Sequence, residues 1–246
     1  MTSTDAPALG MRLEGVRKSF GVQVALAGVD LEIPQGSSVA IMGPNGAGKT
    51  TLLKTMAGLA APTAGNVSLA GVDLRRAGAG LRALVGFVSH EAMLYPDLTV
   101  HENLEFFARL FGLPQPEKAI QIRVEQLKLG HVLDRAVRAL SRGTRQRAAI
   151  ARSLLHSPLV LLLDEPYTGL DEAAAESLTD LLNELRTPDR TLVMAVHEMS
   201  RAVAVAERLI VIGDGRVKID SPIAGQQEEL ASTYMSLLRA AAEVRL

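Results

Sequence analysis

The sequence predicts an α/β fold: a mostly parallel sheet covered by helices on both faces, with antiparallel strands before it and a helical block inserted into it. Three observations carry that expectation. Strand-like and helix-like stretches alternate along the chain. Several strands are unbroken apolar runs, at residues 39–42, 160–163 and 192–196, as suits strands buried on both faces. The first of these runs leads into Gly43-x-x-x-x-Gly48-Lys49-Thr50 and then a helix-like stretch. Strand, glycine loop and helix form the context in which that spacing binds phosphate.

In chain order, residues 1–10 are small and polar and are read as frayed. Residues 11–33 alternate loosely, with Leu13, Val16, Val22, Val24, Leu26, Val29, Leu31 and Ile33 broken by glycines and charges, which suggests short antiparallel strands. Pro34-Gln35-Gly36 turns into the strand before the glycine loop, and residues 49–57 form the helix after it. Gly58 to Gly65, with Pro62, ends that helix and leads to a strand at 66–69. Another short strand occupies 85–89. From 100 to 156 the pattern is helical: Leu104, Phe107, Ala108 and Phe111 share one spacing, and Ile122, Val124, Leu127 and Leu129 another, with Pro114 and Pro116 between them. A helix over 145–155 ends before Pro158. Strand 160–163, helix 172–185, strand 191–196 and helix 199–206 follow. Strands 208–212 and 216–219 flank Gly213-Asp214-Gly215, a hairpin signal, and 226–246 is helix-prone.

Composition narrows the function. The 246 residues include no cysteine, so there is neither a disulfide framework nor a thiolate metal site. The net charge of −1 gives no reason to expect nucleic acid as a partner. The N-terminal stretch lacks a basic n-region and an apolar core, so no secretory signal is expected. No apolar run approaches about 18 residues, so a membrane role would act through another chain.

The chemistry concentrates in four places. Gly43, Pro44, Asn45, Gly46, Ala47, Gly48, Lys49, Thr50 and Thr51 form a loop whose backbone N–H groups and following helix N-terminus suit phosphate oxygens. Lys49 is expected to reach the β and γ phosphates, and the Thr50 hydroxyl to ligate Mg²⁺. Asp164 and Glu165 close an apolar strand; Asp164 is placed to join the Mg²⁺ shell, and Glu165 to orient or deprotonate an attacking water. Each could instead be a solvated acid that stops a strand. His197 ends the next apolar strand, where it either meets a γ-phosphate or caps the following helix. Ser141 and Gly143 open a helix within a stretch, 135–152, that holds six arginines and no acid. That stretch is either a solvated basic face or a second phosphate-reading helix start. Lying in the insertion, it suits a nucleotide shared between two copies of the chain.

The order of these motifs resembles the nucleotide-binding subunit of ATP-binding-cassette transporters over about residues 11–220. The resemblance implies a P-loop NTPase fold: a single ATPase domain with a helical subdomain inserted at about 91–158, and a helical tail over 221–246. It also implies ATP and Mg²⁺ as cofactors, ATP hydrolysis, a homodimer or paired ATPase subunit, integral membrane partners, and a place on the cytoplasmic face of the cell membrane. Phe20 looks like the aromatic that stacks on adenine, and Gly43 to Thr51 is similar to the Walker A loop. Asp164 and Glu165 look like the Walker B aspartate and catalytic glutamate, Thr168-Gly169-Leu170-Asp171 like the D-loop, and His197 like the switch histidine. Leu140-Ser141-Arg142-Gly143-Thr144 stands where Leu-Ser-Gly-Gly-Gln is usual; Arg142 and Thr144 depart from it. His90 stands where a glutamine usually reaches Mg²⁺ and water. With the segment from Ser89 to Thr99, it resembles the ATPase subunits of heme exporters used in cytochrome c maturation.

Other readings are a generic drug or lipid exporter ATPase, a soluble ATP switch of the same fold, and a phosphotransferase. One cassette without sustained heptads favours the transporter over the switch. The order of Asp164-Glu165, the insertion and His197 argues against the phosphotransferase.

Overall fold

The computed structural model describes residues 10–76 and 78–243. The expected fraying at the N-terminus falls mostly outside these residues, as do 244–246 of the helix-prone tail.

Strands β1 (Met11–Phe20), β2 (Gln23–Ile33), β4 (Ala64–Leu69) and β5 (Val72–Asp73) form an antiparallel sheet in the order β2-β1-β4-β5. Between β2 and β4 the chain makes β3 (Ser38–Met42) and helix α1 (Lys49–Met56). A four-residue helix α2 (Ala79–Arg82) precedes β6 (Val85–Val88). Then come α3 (Val100–Leu110), α4 (Pro116–Gln126) and α5 (Arg142–Leu154), with two short 3₁₀ turns before α5. The rest alternates: β7 (Val160–Asp164), α6 (Glu172–Leu185), β8 (Thr191–Ala195), α7 (Met199–Val205), β9 (Arg208–Gly213), β10 (Arg216–Pro222) and α8 (Gln227–Glu243).

The second sheet runs β10-β9-β3-β8-β7-β6, parallel throughout except for β10, which pairs antiparallel with β9. Its unbroken apolar strands divide their side chains between two cores, as a pleat requires. Ala40, Met42, Leu161, Leu163, Met194 and Val211 face α5, α6 and the helices between β6 and β7. Val39, Ile41, Leu162, Val193, Ala195 and Ile210 face α1 and the antiparallel sheet. Each Val, Leu, Ile or Met side chain fully buried this way contributes about 1.5–3 kcal/mol before entropy is counted, and each alanine less.

The helical stretch between β6 and β7 begins at a capping box. Thr99 accepts from the Glu102 N–H at 3.1 Å, and the Thr99 N–H donates to Glu102 Oε2 at 2.7 Å. Pro116 is the first residue of α4, where its missing N–H costs nothing. α5 starts at Arg142, ahead of the 145–155 pattern, where Ser141 caps it as its place in the sequence suggests, accepting from the Thr144 N–H at 3.2 Å. The two-residue β5 and four-residue α2 had no signal strong enough to read.

Candidate functional site

The glycine loop sits at the C-terminal end of β3. Gly43 has φ +152°, and a Cβ there would lie 2.1 Å from the Ile212 carbonyl oxygen. Gly48 has φ +106°, and its Cβ would lie 2.4 Å from the Ala25 carbonyl oxygen. No side chain fits at either place, so the spacing of the motif is also a spacing of close approaches. Gly48 starts α1, which aims its N-terminus into the loop. Lys49 is buried and its ammonium donates to the carbonyls of Gly43 at 2.8 Å and Pro44 at 3.2 Å. Burial pulls the Lys49 pKa down, while Glu165 and Asp164 pull it back up.

Two neighbouring strands bring the acids to this loop. Asp164 ends β7 and is 1% exposed. The Thr50 hydroxyl donates to its Oδ1 at 3.0 Å, while its buried Oδ2 has no hydrogen-bond partner. Burial pushes the Asp164 carboxyl above the usual carboxylate range; Glu165 adds to this, and the Thr50 bond, His90 and Lys54 oppose it. A buried oxygen left bare beside a hydroxyl is the chemistry of a hard-cation site. Among the described residues no group of three or more His, Asp or Glu could hold an ion alone. The fit is therefore to Mg²⁺, which takes one or two protein oxygens and fills its shell with phosphate and water.

Glu165 follows with φ +53°, a left-handed conformation uncommon outside glycine and its small polar substitutes. Its N–H donates to the Ala195 carbonyl at 3.1 Å, which ties this turn to β8. Its Oε1 lies 2.6 Å from His197 Nε2, and the Thr168 hydroxyl donates to Oε2 at 3.3 Å. Partial burial acts to raise the Glu165 pKa, but His197, Thr168 and Lys49 together outweigh it, and the net direction is down. His197 is not the cap of α7, since Glu198 holds that position; it faces Glu165 instead.

These groups line one cleft of about 700 Å³, with Asn45, Gly46, Gly48, Lys49, Thr50, Thr51, Glu165, Thr168 and His197 around its floor. Phe20 stands at its mouth, 56% exposed, with Lys18 Nζ 5.0 Å from the ring centroid. Gln23 and Ala25 of β2 also line it and were not expected; nothing in their local sequence marks them. Gly43, Pro44 and Ala47 shape the loop from behind, Ala47 being buried in the second core.

Three expected residues lie elsewhere. Ser141 and Gly143 do not line this cleft. They begin α5, where Gly143 packs so closely on α6 that a Cβ would come within 3.0 Å of that of Ala174. His90 does not join it either. Its Nε2 lies 3.9 Å from Glu91 Oε1 and its Nδ1 3.4 Å from Ser89 Oγ, although its charge reaches Asp164. His90 borders a second cleft of about 650 Å³ with Met93, Leu94, Pro96, Val137, Arg138, Arg142, Arg145 and Gln146. Asn103, buried in α3, shapes this region. It accepts from the Tyr95 N–H and donates to the carbonyls of Tyr95, Leu98 and Thr99. Leu94 packs on the core, while Met93 and Tyr95 are about half exposed. The run of arginines is not one solvated face. Arg152 is buried, donates to the Phe87 carbonyl at 2.8 Å, lies over the Phe107 ring, and has its pKa lowered to about 10 by burial.

The profile of the ABC transporter family matches residues 26–168, more than half of the chain. This chain belongs to the ABC transporter family. It is 37% identical over 212 residues to a Nod factor export ATP-binding protein I of Paraburkholderia xenovorans, covering 85% of this chain and 70% of that one. A Nod factor export ATP-binding protein I of Ralstonia nicotianae is 38% identical, and this chain spans 65% of its length. An Escherichia coli sulfate/thiosulfate import ATP-binding protein is 37% identical over 87% of this chain and 60% of its own length. Among solved structures, an ATP-binding cassette described as a dimer in a post-hydrolysis state with ADP and Pi superposes with a TM-score of 0.78. It is 30% identical, covering 87% of this chain and 99% of that one. A Clostridium perfringens protein described as part of the ABC transporter complex cbiONQ gives 0.79 at 25% identity, covering 96% and 98%.

Proposed function

We propose that this chain is an ATP-hydrolysing subunit of a transporter. The observation that carries the reading is Asp164, buried at the tip of β7 with one oxygen on Thr50 and the other bare, beside Glu165 held by His197. Phe20 stacks on the adenine at the mouth of the cleft. The loop from Gly43 to Thr51 turns its N–H groups on the phosphates. Lys49 exchanges its bonds to the Gly43 and Pro44 carbonyls for charge-assisted bonds to phosphate oxygens. Thr50 and Asp164 hold Mg²⁺, which when bound supplies positive charge to the phosphate oxygens. Glu165 orients the water through its carboxylate and receives its proton; the lowered pKa keeps it ionised for that task. His197 fixes the Glu165 carboxylate at one oxygen and Thr168 at the other.

In this reading, residues 11–220 are one ATPase domain, with 91–158 as its inserted helical part and 221–246 as a tail. Ser141 and Gly143, away from the cleft, serve the nucleotide of a second copy, so the working unit is a dimer or a paired ATPase. The segment from Ser89 to Leu98 docks on an integral membrane subunit. Support comes from exposed Met93 and Tyr95, and from the buried donors Gln146 Nε2 and Arg145 Nε, which have no partner among the described residues. No helix among the described residues is long and apolar enough to cross a membrane, and the proposed site of action is peripheral, on its cytoplasmic face. The cargo reading that His90 and its flanks support is heme, for cytochrome c maturation; the relatives above are named for Nod factors and sulfate. Restoring cytochrome c maturation in a strain without its exporter ATPase, with the cognate membrane subunits supplied, supports heme. Failure with ATPase activity intact removes it.

The activity itself is tested by Glu165→Gln in the full chain. It keeps shape and removes the basic oxygen. ATP should still bind, turnover should fall on the order of a hundredfold, and an ATP-bound dimer should accumulate in light scattering. Wild-type turnover in the variant overturns the assignment.

A further inference from the structure

Two turns meet at Glu165. The first runs from Glu165 to Asp171, the cap of α6; the second leads from β8 through His197 to Glu198, the cap of α7. His197 Nε2 reaches across to Glu165 Oε1 at 2.6 Å. Both side chains are part exposed, so packing alone does not fix them. Their separation is set by how the two turns are held.

Arg201, on the first turn of α7, holds both. Its Nη2 donates to both carboxylate oxygens of Glu172, the first residue of α6, at 2.8 Å. Its Nε lies 3.8 Å from Glu198 Oε2, and its guanidinium carbon stands 5.5 Å from the centroid of the Tyr167 ring. An exposed ion pair contributes little. Here the arginine side chain is only 15% exposed while that of Glu172 is 74% exposed, so the fork is the anchored partner. A planar guanidinium can grip a carboxylate and lie on a ring at once.

Tyr167 carries that hold into the first turn. Thr179 donates its hydroxyl to the Ala175 carbonyl at 3.0 Å, which leaves its oxygen to accept from the Tyr167 hydroxyl at 3.1 Å. The Tyr167 carbonyl accepts from the Leu170 N–H at 3.1 Å, and the Thr168 N–H donates to the Glu165 carbonyl at 3.2 Å. Next along the chain from Tyr167, the Thr168 hydroxyl donates to Glu165 Oε2. Tyr167, Glu198 and Arg201 line a hollow of about 290 Å³ that shares Glu165, Thr168 and His197 with the cleft at Lys49.

We propose that Arg201 is a positioning residue for the Glu165–His197 pair, keeping the two turns at the separation their bond needs. Its effect on turnover rests on the function proposed above; its hold on the two turns does not.

Arg201→Met in the full chain keeps the stem and removes the fork. In the ligand-free protein, hydrogen exchange at the Thr168 and Leu170 amides should speed up severalfold. The kcat for ATP hydrolysis should fall about tenfold or more, as for a misplaced reacting group, with the KM for ATP unchanged because no group of the phosphate loop moves. Asn183→Ala is the control: it breaks the bond from Asn183 Nδ2 to the Ala204 carbonyl at 3.1 Å, which ties the same two helices away from the turns. Both readouts should stay at the wild-type level there. Unchanged exchange in Arg201→Met overturns the proposal, and so does a raised KM with kcat unchanged. Equal effects in Asn183→Ala also overturn it and make Arg201 a packing residue. If the wild type hydrolyses no ATP, the proposed function fails, and the exchange measurement still decides whether Arg201 holds the turns.

Discussion

The two clefts lie at the C-terminal ends of adjacent parallel strands, β7 and β6, and are built in opposite ways. Around Lys49, the chain answers most of its own charges. Lys49 bonds two loop carbonyls, Thr50 bonds Asp164, and Glu165 is held by His197 and Thr168. The bare group there is an acceptor, Asp164 Oδ2. Beside His90 the bare groups are donors, Gln146 Nε2 and Arg145 Nε, and apolar Met93 stands exposed with φ +49°. The first cleft presents a bare acceptor and the second presents bare donors. Buried polar groups left in this state cost stability, and are kept where a ligand completes them.

The largest effect that would break this contrast is at Asp164. Asp164→Asn removes the charge that the site exists to present, so Mg²⁺-dependent turnover should fall by about a hundredfold or more. The same change should stabilise the ligand-free chain at neutral pH. The sign follows from the raised pKa: burial disfavours the carboxylate, so ionised Asp164 opposes folding above its unfolded pKa, and the penalty fades as pH falls through the higher folded value. At about 1.4 kcal/mol per pKa unit, thermal melts at pH 7 should show a gain that disappears in acid. A variant both inactive and less stable at pH 7 would mean that the carboxylate is well satisfied in the free chain.

A smaller effect sharpens the other side. Gln146→Leu replaces an unpartnered buried donor with an apolar group of similar size. Melting should show the free chain stabilised by about 1 kcal/mol. Turnover of the chain without a partner should not change. A loss of stability would mean that the amide already has its bonds, and that the second cleft is not waiting for acceptors.

Much of this was legible in residue order. The apolar runs at 39–42 and 160–163 gave buried strands because a strand covered on both faces needs no polar alternation, and Val39, Ile41 and Leu162 do face a different core from Ala40, Leu161 and Leu163. The glycine spacing gave the loop, since Gly43 and Gly48 stand where backbone crowding forbids a Cβ. What was not legible depended on distant partners. Thr99-x-x-Glu102 carried a readable start for α3, yet the direction of His90 depends on a loop that Asn103 clamps from eight residues away at Tyr95. Arg152 looks like its exposed neighbours in sequence; only the Phe87 carbonyl and the Phe107 ring make its burial possible. Gln23 and Ala25 enter the first cleft because β2 lies against the loop.

The central claim is that the cleft at Lys49 binds nucleotide through its phosphates. Titration of the full chain with a fluorescent ATP analogue, in Mg²⁺, tests it most directly when wild type and Lys49→Ala are compared. The wild type should bind saturably, and Lys49→Ala should bind at least about tenfold more weakly through the loss of a charge-assisted contact. Equal affinity and equal turnover in the two proteins would contradict the claim.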